Sequence, residues 1–208
     1  CNMLINIENS KKVAEILLRI NAVKLQPSNF FTWSSGKKSP IYCDNRLLLS
    51  HVKERNFIGD LFYKHIKHNF PHTDYIAGVA TGAIAHGMIV ASKLNLPFIY
   101  VRNTAKKHGK ENQIEGDLKK GSNVIVIEDL ISTGKSSINA MNALRNKNAN
   151  ILSLMSIFTY EIANTEQFNT EYYSLSNYSC LINLASQKNI INNNEKEILT
   201  NWKKSLIK

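Results

Sequence analysis

Val124-Ile125-Val126-Ile127-Glu128-Asp129-Leu130-Ile131-Ser132-Thr133-Gly134-Lys135-Ser136-Ser137 joins four β-branched residues to two carboxylates and a run of small hydroxyl residues around one glycine. The four apolar residues predict a buried strand with Glu128 and Asp129 at its C-terminal end, and the small residues form a loop leading into a helix. A strand buried on both faces belongs to a parallel sheet. In an open sheet of that kind, ligands bind outside the carboxyl ends of the strands. Free amides at the helix start, with the hydroxyls of Ser132, Thr133 and Ser136, suit a phosphate, and Gly134 lets it approach the backbone closely. Two carboxylates beside such a cradle repel the phosphate unless they face a cation or hydroxyl groups, which a ribose diol supplies. The other reading of Glu128 and Asp129 is a helix cap. A nucleoside-triphosphate P-loop fits poorly, because GxxxxGK[ST] needs glycine five positions before Gly134 and Asp129 stands there.

On both sides of this stretch, apolar strands alternate with helices, the pattern of a central parallel sheet flanked by helices. Strands are expected near residues 75–79, 98–101, 124–127 and 151–158, and helices near 84–94 and 135–145. Upstream, helical spacing covers 13–20, a hairpin is expected from the runs 30–33 and 41–43 around the polar segment 34–40, and a helix spans 51–67. Downstream, 172–175 reads as a short strand, and 178–187 and 195–204 as helices. Residues 103–120 are polar and aperiodic, contain Gly109 and Gly116, and join two buried strands. Structureless connections of that length inside a compact domain are uncommon and often act as lids.

The 208 residues suffice for one domain, and 43% hydrophobic with 20% charged residues excludes disordered, collagen-like and disulfide-dense chains. The net charge of +10 contains only five arginines, with lysines scattered among many asparagines such as Asn192, Asn193 and Asn194. That reads as compositional drift towards Lys and Asn, not as a nucleic-acid face. Cys1, Cys43 and Cys180 are odd in number and lack CxxC spacing, which fits a reducing cytoplasm and neither a disulfide framework nor a zinc knuckle. No leader is visible, and the most apolar stretch, 75–91, carries Thr81, His86 and three glycines, so no membrane association is expected. His51, His65, His68 and His72 lack metal-ligand spacing and read as surface histidines. Cys43 has no histidine partner in view and reads as a packing cysteine. Tyr172, Tyr173 and Tyr178 read as packing or dimer residues.

The run from Glu128 to Gly134 resembles the phosphoribosyl pyrophosphate (PRPP) motif of type I phosphoribosyltransferases. Three further segments narrow the resemblance to the orotate phosphoribosyltransferase family. They are Phe31-Thr32-Trp33-Ser34-Ser35-Gly36 through Ser39-Pro40-Ile41-Tyr42-Cys43-Asp44-Asn45-Arg46, then Tyr100-Val101-Arg102 with Lys106 and His108, then Asn112-Gln113-Ile114-Glu115-Gly116. The resemblance runs from about residue 10 to the C-terminus. It implies transfer of phosphoribose from PRPP to N1 of orotate with Mg²⁺, giving orotidine 5′-monophosphate and pyrophosphate. It also implies a homodimer whose lid loop, 103–117, reaches the neighbouring active site, and a hood formed by residues 1–50 with C-terminal segments.

By the same resemblance, Lys106, His108 and Asp129 are catalytic, and Arg102 with Lys106 and His108 holds pyrophosphate. Glu128, Asp129, Leu130, Ile131, Ser132, Thr133, Gly134, Lys135 and Ser136 bind the rest of PRPP, while Ser132, Tyr42 and Cys43 meet orotate. No direct protein ligand to Mg²⁺ is expected, since that ion prefers substrate phosphate oxygens and retained waters. Arg46 is a weaker candidate for the orotate carboxylate. Ser34, Thr81-Gly82, Asn103 and Tyr160 depart from residues common in the family, which marks a distinct branch. A purine or uracil phosphoribosyltransferase shares the PRPP motif but lacks the 31–46 segments. The alternative from another class is a PRPP-sensing, nucleic-acid-binding regulator with the same fold.

Overall fold

In the computed structural model, which describes residues 3–32, 36–103 and 113–207, the apolar runs become the strands of one sheet. In chain order the first elements are β1 (Met3–Leu4), α1 (Ile7–Arg19), β2 (Val23–Leu25), β3 (Phe31–Thr32), β4 (Lys38–Ser39) and β5 (Ile41–Cys43). A 3-10 helix (Asn45–Ser50), α2 (Val52–Asn69), β6 (Tyr75–Val79), α3 (Ala83–Leu94), β7 (Phe98–Val101) and β8 (Ile114–Glu115) follow. The chain continues through β9 (Asn123–Ile131), α4 (Lys135–Asn146), β10 (Asn150–Thr159), a second 3-10 helix (Thr165–Phe168), β11 (Glu171–Asn177), α5 (Tyr178–Gln187) and α6 (Asn193–Leu206).

The sheet runs β1-β11-β10-β9-β6-β7-β8, parallel throughout except for the antiparallel edge pair β7–β8. Alternation along β9 sends Ile125 and Ile127 to one face and Val124 and Val126 to the other. The first face packs against α1, α2, α3 and α5 through residues such as Leu17, Phe62, Val90 and Leu181. The second packs against α4 through Ala140, Met141 and Leu144. With both faces covered, β6 is buried at all five positions, and the carboxyl ends of β6 and β9 are the open rim.

The structure departs from the sequence reading in four places. Strand β9 runs through Ile131, so Glu128 and Asp129 lie within the strand and only Ser132 to Gly134 separate it from α4. The expected hairpin between 30–33 and 41–43 does not form: β3 pairs with β4, while β5 pairs with β2. Pro40 divides that run, since it has no N–H for a ladder; its carbonyl accepts from Gln26 N at 2.8 Å. The segment 103–120 is not structureless throughout, because β8 pairs with β7 and Arg102 N donates to Gln113 O at 2.9 Å. His65 is half-buried, its ring edge-on to Tyr173 at 4.6 Å.

Asn21, Asn95, Asn148, Asn169 and Asn189 hold φ between 52° and 61° just beyond α1, α3, α4, the second 3-10 helix and α5. Asparagine tolerates this left-handed conformation better than other residues with a Cβ. Part of the asparagine excess is therefore structural. At the C-terminal end, Lys203 Nζ contacts Glu161 at 2.7 Å, and Trp202 Nε1 donates to Lys38 O at 3.4 Å. The first contact ties α6 to the segment after β10, the second to β4. No helix among the described residues is long and apolar enough to cross a membrane.

Candidate functional site

A cavity of ≈ 240 Å³ opens at the carboxyl ends of β6 and β9, lined by residues 80–82 and 128–137. One wall is the start of α4. Gly134 turns the chain there with φ +83°, and no side chain caps the first helical turn. The amide dipoles of that turn face the cavity, with the exposed Thr133 and Ser136 beside them. An added methyl at Gly134 would stand 2.6 Å from Phe168 Cε1, so the turn is also closely packed from behind.

Successive strand residues point to opposite faces, and the two carboxylates accordingly part company. Glu128 is 5% exposed; its Oε2 accepts from Ser137 Oγ at 3.2 Å and its Oε1 from Asp129 N at 3.1 Å. Burial, and then the charge of Asp129, push the Glu128 carboxyl well above the usual range. Asp129 turns instead towards the β6–α3 connection, where an ideal Cβ built on Gly82 would lie 2.2 Å from its Oδ2. Gly82→Ala should therefore displace the Asp129 carboxylate. A displacement of about 1 Å in a positioned group can cost about 100-fold in rate. Steady-state assays should show at least a tenfold loss with an unchanged melting temperature; full activity would mean that Asp129 need not occupy this position.

A second cavity of ≈ 340 Å³ shares Ala80 and Thr81 and is completed by Ile84, Tyr100, Arg102 and Asn103. The Ala80–Thr81 peptide is cis. Arg102 pairs with Glu115 at 3.4 Å and stays half exposed. Lys106 and His108 lie outside the described residues, as does Ser34.

On the hairpin side, the exposed Tyr42 ring meets Phe31 with centroids 5.8 Å apart. Cys43 Sγ lies 3.5 Å from Asn45 Oδ1, and burial, then Asp129 and Asp44, raise its thiol pKa. Arg46 is held by both oxygens of Asp44, at 2.7 and 2.8 Å. Tyr160 is buried, its N donating to Ile131 O at 3.0 Å and its ring edge-on to Phe158 and Trp202. The segments read separately from the sequence thus converge: Tyr42 and Cys43, Asp129, and the loop from Ser132 to Ser136. Sequence reasoning missed Asn45 and His86, which join the segment after β5 to Asp129. Asn45 Nδ2 donates to Asp129 O at 2.6 Å across 84 residues, and spacing carries no signal for such a contact.

Among the described residues, no group of three or more His, Cys, Asp and Glu stands together as a metal site. With the Glu128 oxygens engaged, Asp129 is the carboxylate left to the cavity. One carboxylate beside substrate phosphate oxygens is a donor set that suits Mg²⁺.

The phosphoribosyl transferase domain family matches residues 48–184. An orotate phosphoribosyltransferase of Malacoplasma penetrans is 49% identical over 207 residues, covering 97% of this chain and 98% of that protein. The crystal structure of orotate phosphoribosyltransferase from Aeropyrum pernix superposes with a TM-score of 0.74 at 25% identity, covering 86% of this chain and 99% of that one. The fold also recurs in Leishmania donovani UMP synthase, with a TM-score of 0.78 at 24% identity; 94% of this chain covers 42% of that longer one. Near-complete coverage at about half identity, on a sheet-end cavity of this composition, places the chain in the orotate phosphoribosyltransferase family.

Proposed function

We propose that the ≈ 240 Å³ cavity is where phosphoribose passes from PRPP to N1 of orotate, giving orotidine 5′-monophosphate and pyrophosphate for pyrimidine biosynthesis. The observation that carries this reading is the meeting of an uncapped helix start with the Asp129 carboxylate in one cavity. The 5-phosphate sits on the loop and helix start from Ile131 to Ser136. Asp129 faces the ribose hydroxyls, with Glu128 buried behind it and its carboxyl pushed above the usual range by that burial. Pyrophosphate lies towards Thr81 and Arg102, with Lys106 and His108 brought by the loop 103–117. Orotate lies between the Tyr42–Cys43 segment and Ser132.

Departure of pyrophosphate leaves positive character on the ribose and negative charge on the leaving oxygens. Groups that bind this charge separation more tightly than the ground state lower the barrier. Arg102, Lys106 and His108 act on the leaving group, and the Asp129 carboxylate acts on the sugar side. Mg²⁺ bound with PRPP would supply charge neutralisation on the phosphate oxygens, Asp129 being the cavity carboxylate left to hold it. Closure of the loop excludes water that would otherwise hydrolyse the activated sugar. The working unit is a homodimer in the cytoplasm, each loop 103–117 serving the neighbouring site, with residues 1–50 and C-terminal segments as the hood over the base.

Purified protein mixed with orotate, PRPP and Mg²⁺ should consume orotate absorbance, while parallel reactions with uracil, adenine and hypoxanthine stay flat. Turnover of another base would place the error in the 31–46 segment. No turnover despite PRPP binding would turn the reading towards a regulator.

A further inference from the structure

Strand β9 outruns its neighbour. Its pairing with β10 continues to Ile131, but its pairing with β6 ends at Gly78 and Ile127. Beyond Ile127, the β6 side of β9 has no ladder partner among the described residues. A backbone carbonyl left there without a donor would carry a desolvation cost. At Asp129 the donor is a side chain: Asn45 Nδ2, at 2.6 Å.

Asn45 is fully buried and engaged on three sides. Its amide nitrogen holds Asp129 O, its Oδ1 faces Cys43 Sγ at 3.5 Å, and its main-chain carbonyl lies 3.2 Å from His86 Nε2. Because a carbonyl only accepts, His86 must carry a proton on Nε2, which fixes the neutral tautomer. His86 is itself 2% exposed on α3, the helix that follows the Gly82 turn. Burial lowers its pKa below the usual histidine value, against opposing effects from the Asn45 carbonyl and Asp129. The Asp129 residue is thereby fixed at two points. Asn45 holds its main-chain carbonyl, and its carboxylate abuts Gly82 at the start of the helix that carries His86.

We infer that Asn45, seated by His86, is a positioning residue that sets Asp129 in place and couples the Tyr42–Cys43 segment to the sugar-facing strand. This rests on the reading of Asp129 as the group facing ribose. Rotation of Asp129 would then be opposed from the 3-10 helix that follows β5 and from α3 together. Neither Asn45 nor His86 need touch substrate, and neither belongs to the segment from Glu128 to Ser136 that marks the PRPP site.

The test is a double-mutant cycle on kcat/KM for PRPP, with kcat, both KM values and the melting temperature measured for each variant. Asn45→Ala alone should lose about tenfold or more, since small misplacements of a positioned group are costly in rate. In the Asp129→Asn background the same substitution should add less than about threefold, because a group acting through another loses its effect when that other is disabled. Additive losses, or no loss from Asn45→Ala while Asp129→Asn is impaired, would overturn the inference and leave the Asp129 reading standing. If Asp129→Asn itself is without effect, it is the reading of Asp129 that fails. His86→Leu should reproduce the Asn45→Ala defect, and His86→Gln, which restores an N–H donor towards the Asn45 carbonyl, should recover most of it. Equal activity of the two His86 variants would remove His86 from the arrangement. Should Asn45→Ala fail to fold, the cycle is run with His86→Leu and His86→Gln in its place, under the same criteria.

Discussion

Lys106→Ala is expected to lower kcat by about 10²–10³-fold, the scale on which removing one preorganised electrostatic partner of a developing charge acts. The same substitution should lower kcat without a matching fall in melting temperature, which separates a loss of chemistry from a loss of fold. A cation on the leaving pyrophosphate strengthens its contact as the bond to the sugar breaks. Its loss therefore falls on kcat more than on KM for PRPP. Lys107 stands beside it in the sequence, so Lys107→Ala is the natural control and should lose far less. Near-normal turnover of the Lys106 variant would strip that lysine of a catalytic part. Pyrophosphate release would then rest on Arg102, half exposed and shared with Glu115.

Asp129→Asn should weaken PRPP by about ten- to a hundredfold, because a hydrogen bond to a charged group contributes about 1.5–3 kcal/mol. Asparagine keeps the shape and the main-chain carbonyl, so the contact from Asn45 survives. What disappears is the carboxylate charge. The charge of Asp129 is also one cause of the raised Glu128 pKa, second to burial. With that charge gone, the Glu128 carboxyl should ionise at lower pH than in the unsubstituted protein. Isothermal titration with PRPP and a pH series on the same protein would measure both effects; unchanged PRPP affinity would reduce Asp129 to a structural acid.

The sheet was legible because its strands are buried on both faces and so form continuous apolar runs: β6 and β7 have the expected bounds to the residue. Helix α5 does too. The two- and three-residue strands β1, β2 and β8 were not legible, for they are too short to show a period of two. The partners of β3 and β5 were misread because pairing is a tertiary choice, decided here by the break at Pro40. In the candidate site, the run from Glu128 to Ser136 was legible through local spacing. The opposed directions of Glu128 and Asp129 follow from the strand's continuing past them, which the acidic pair itself hides. Gly82, Asn45 and His86 reach Asp129 only through the fold.

The five left-handed asparagines bear on the unfolded chain as much as on the folded one. Glycine is the default residue at such helix exits, yet it has the most backbone freedom to lose on folding. An asparagine there starts from a narrower denatured ensemble and gives up less entropy, at the cost of crowding its Cβ in the native turn. These opposing contributions largely offset each other. A chain of 208 residues with only nine glycines can thus end five of its helical segments without a glycine at the exit.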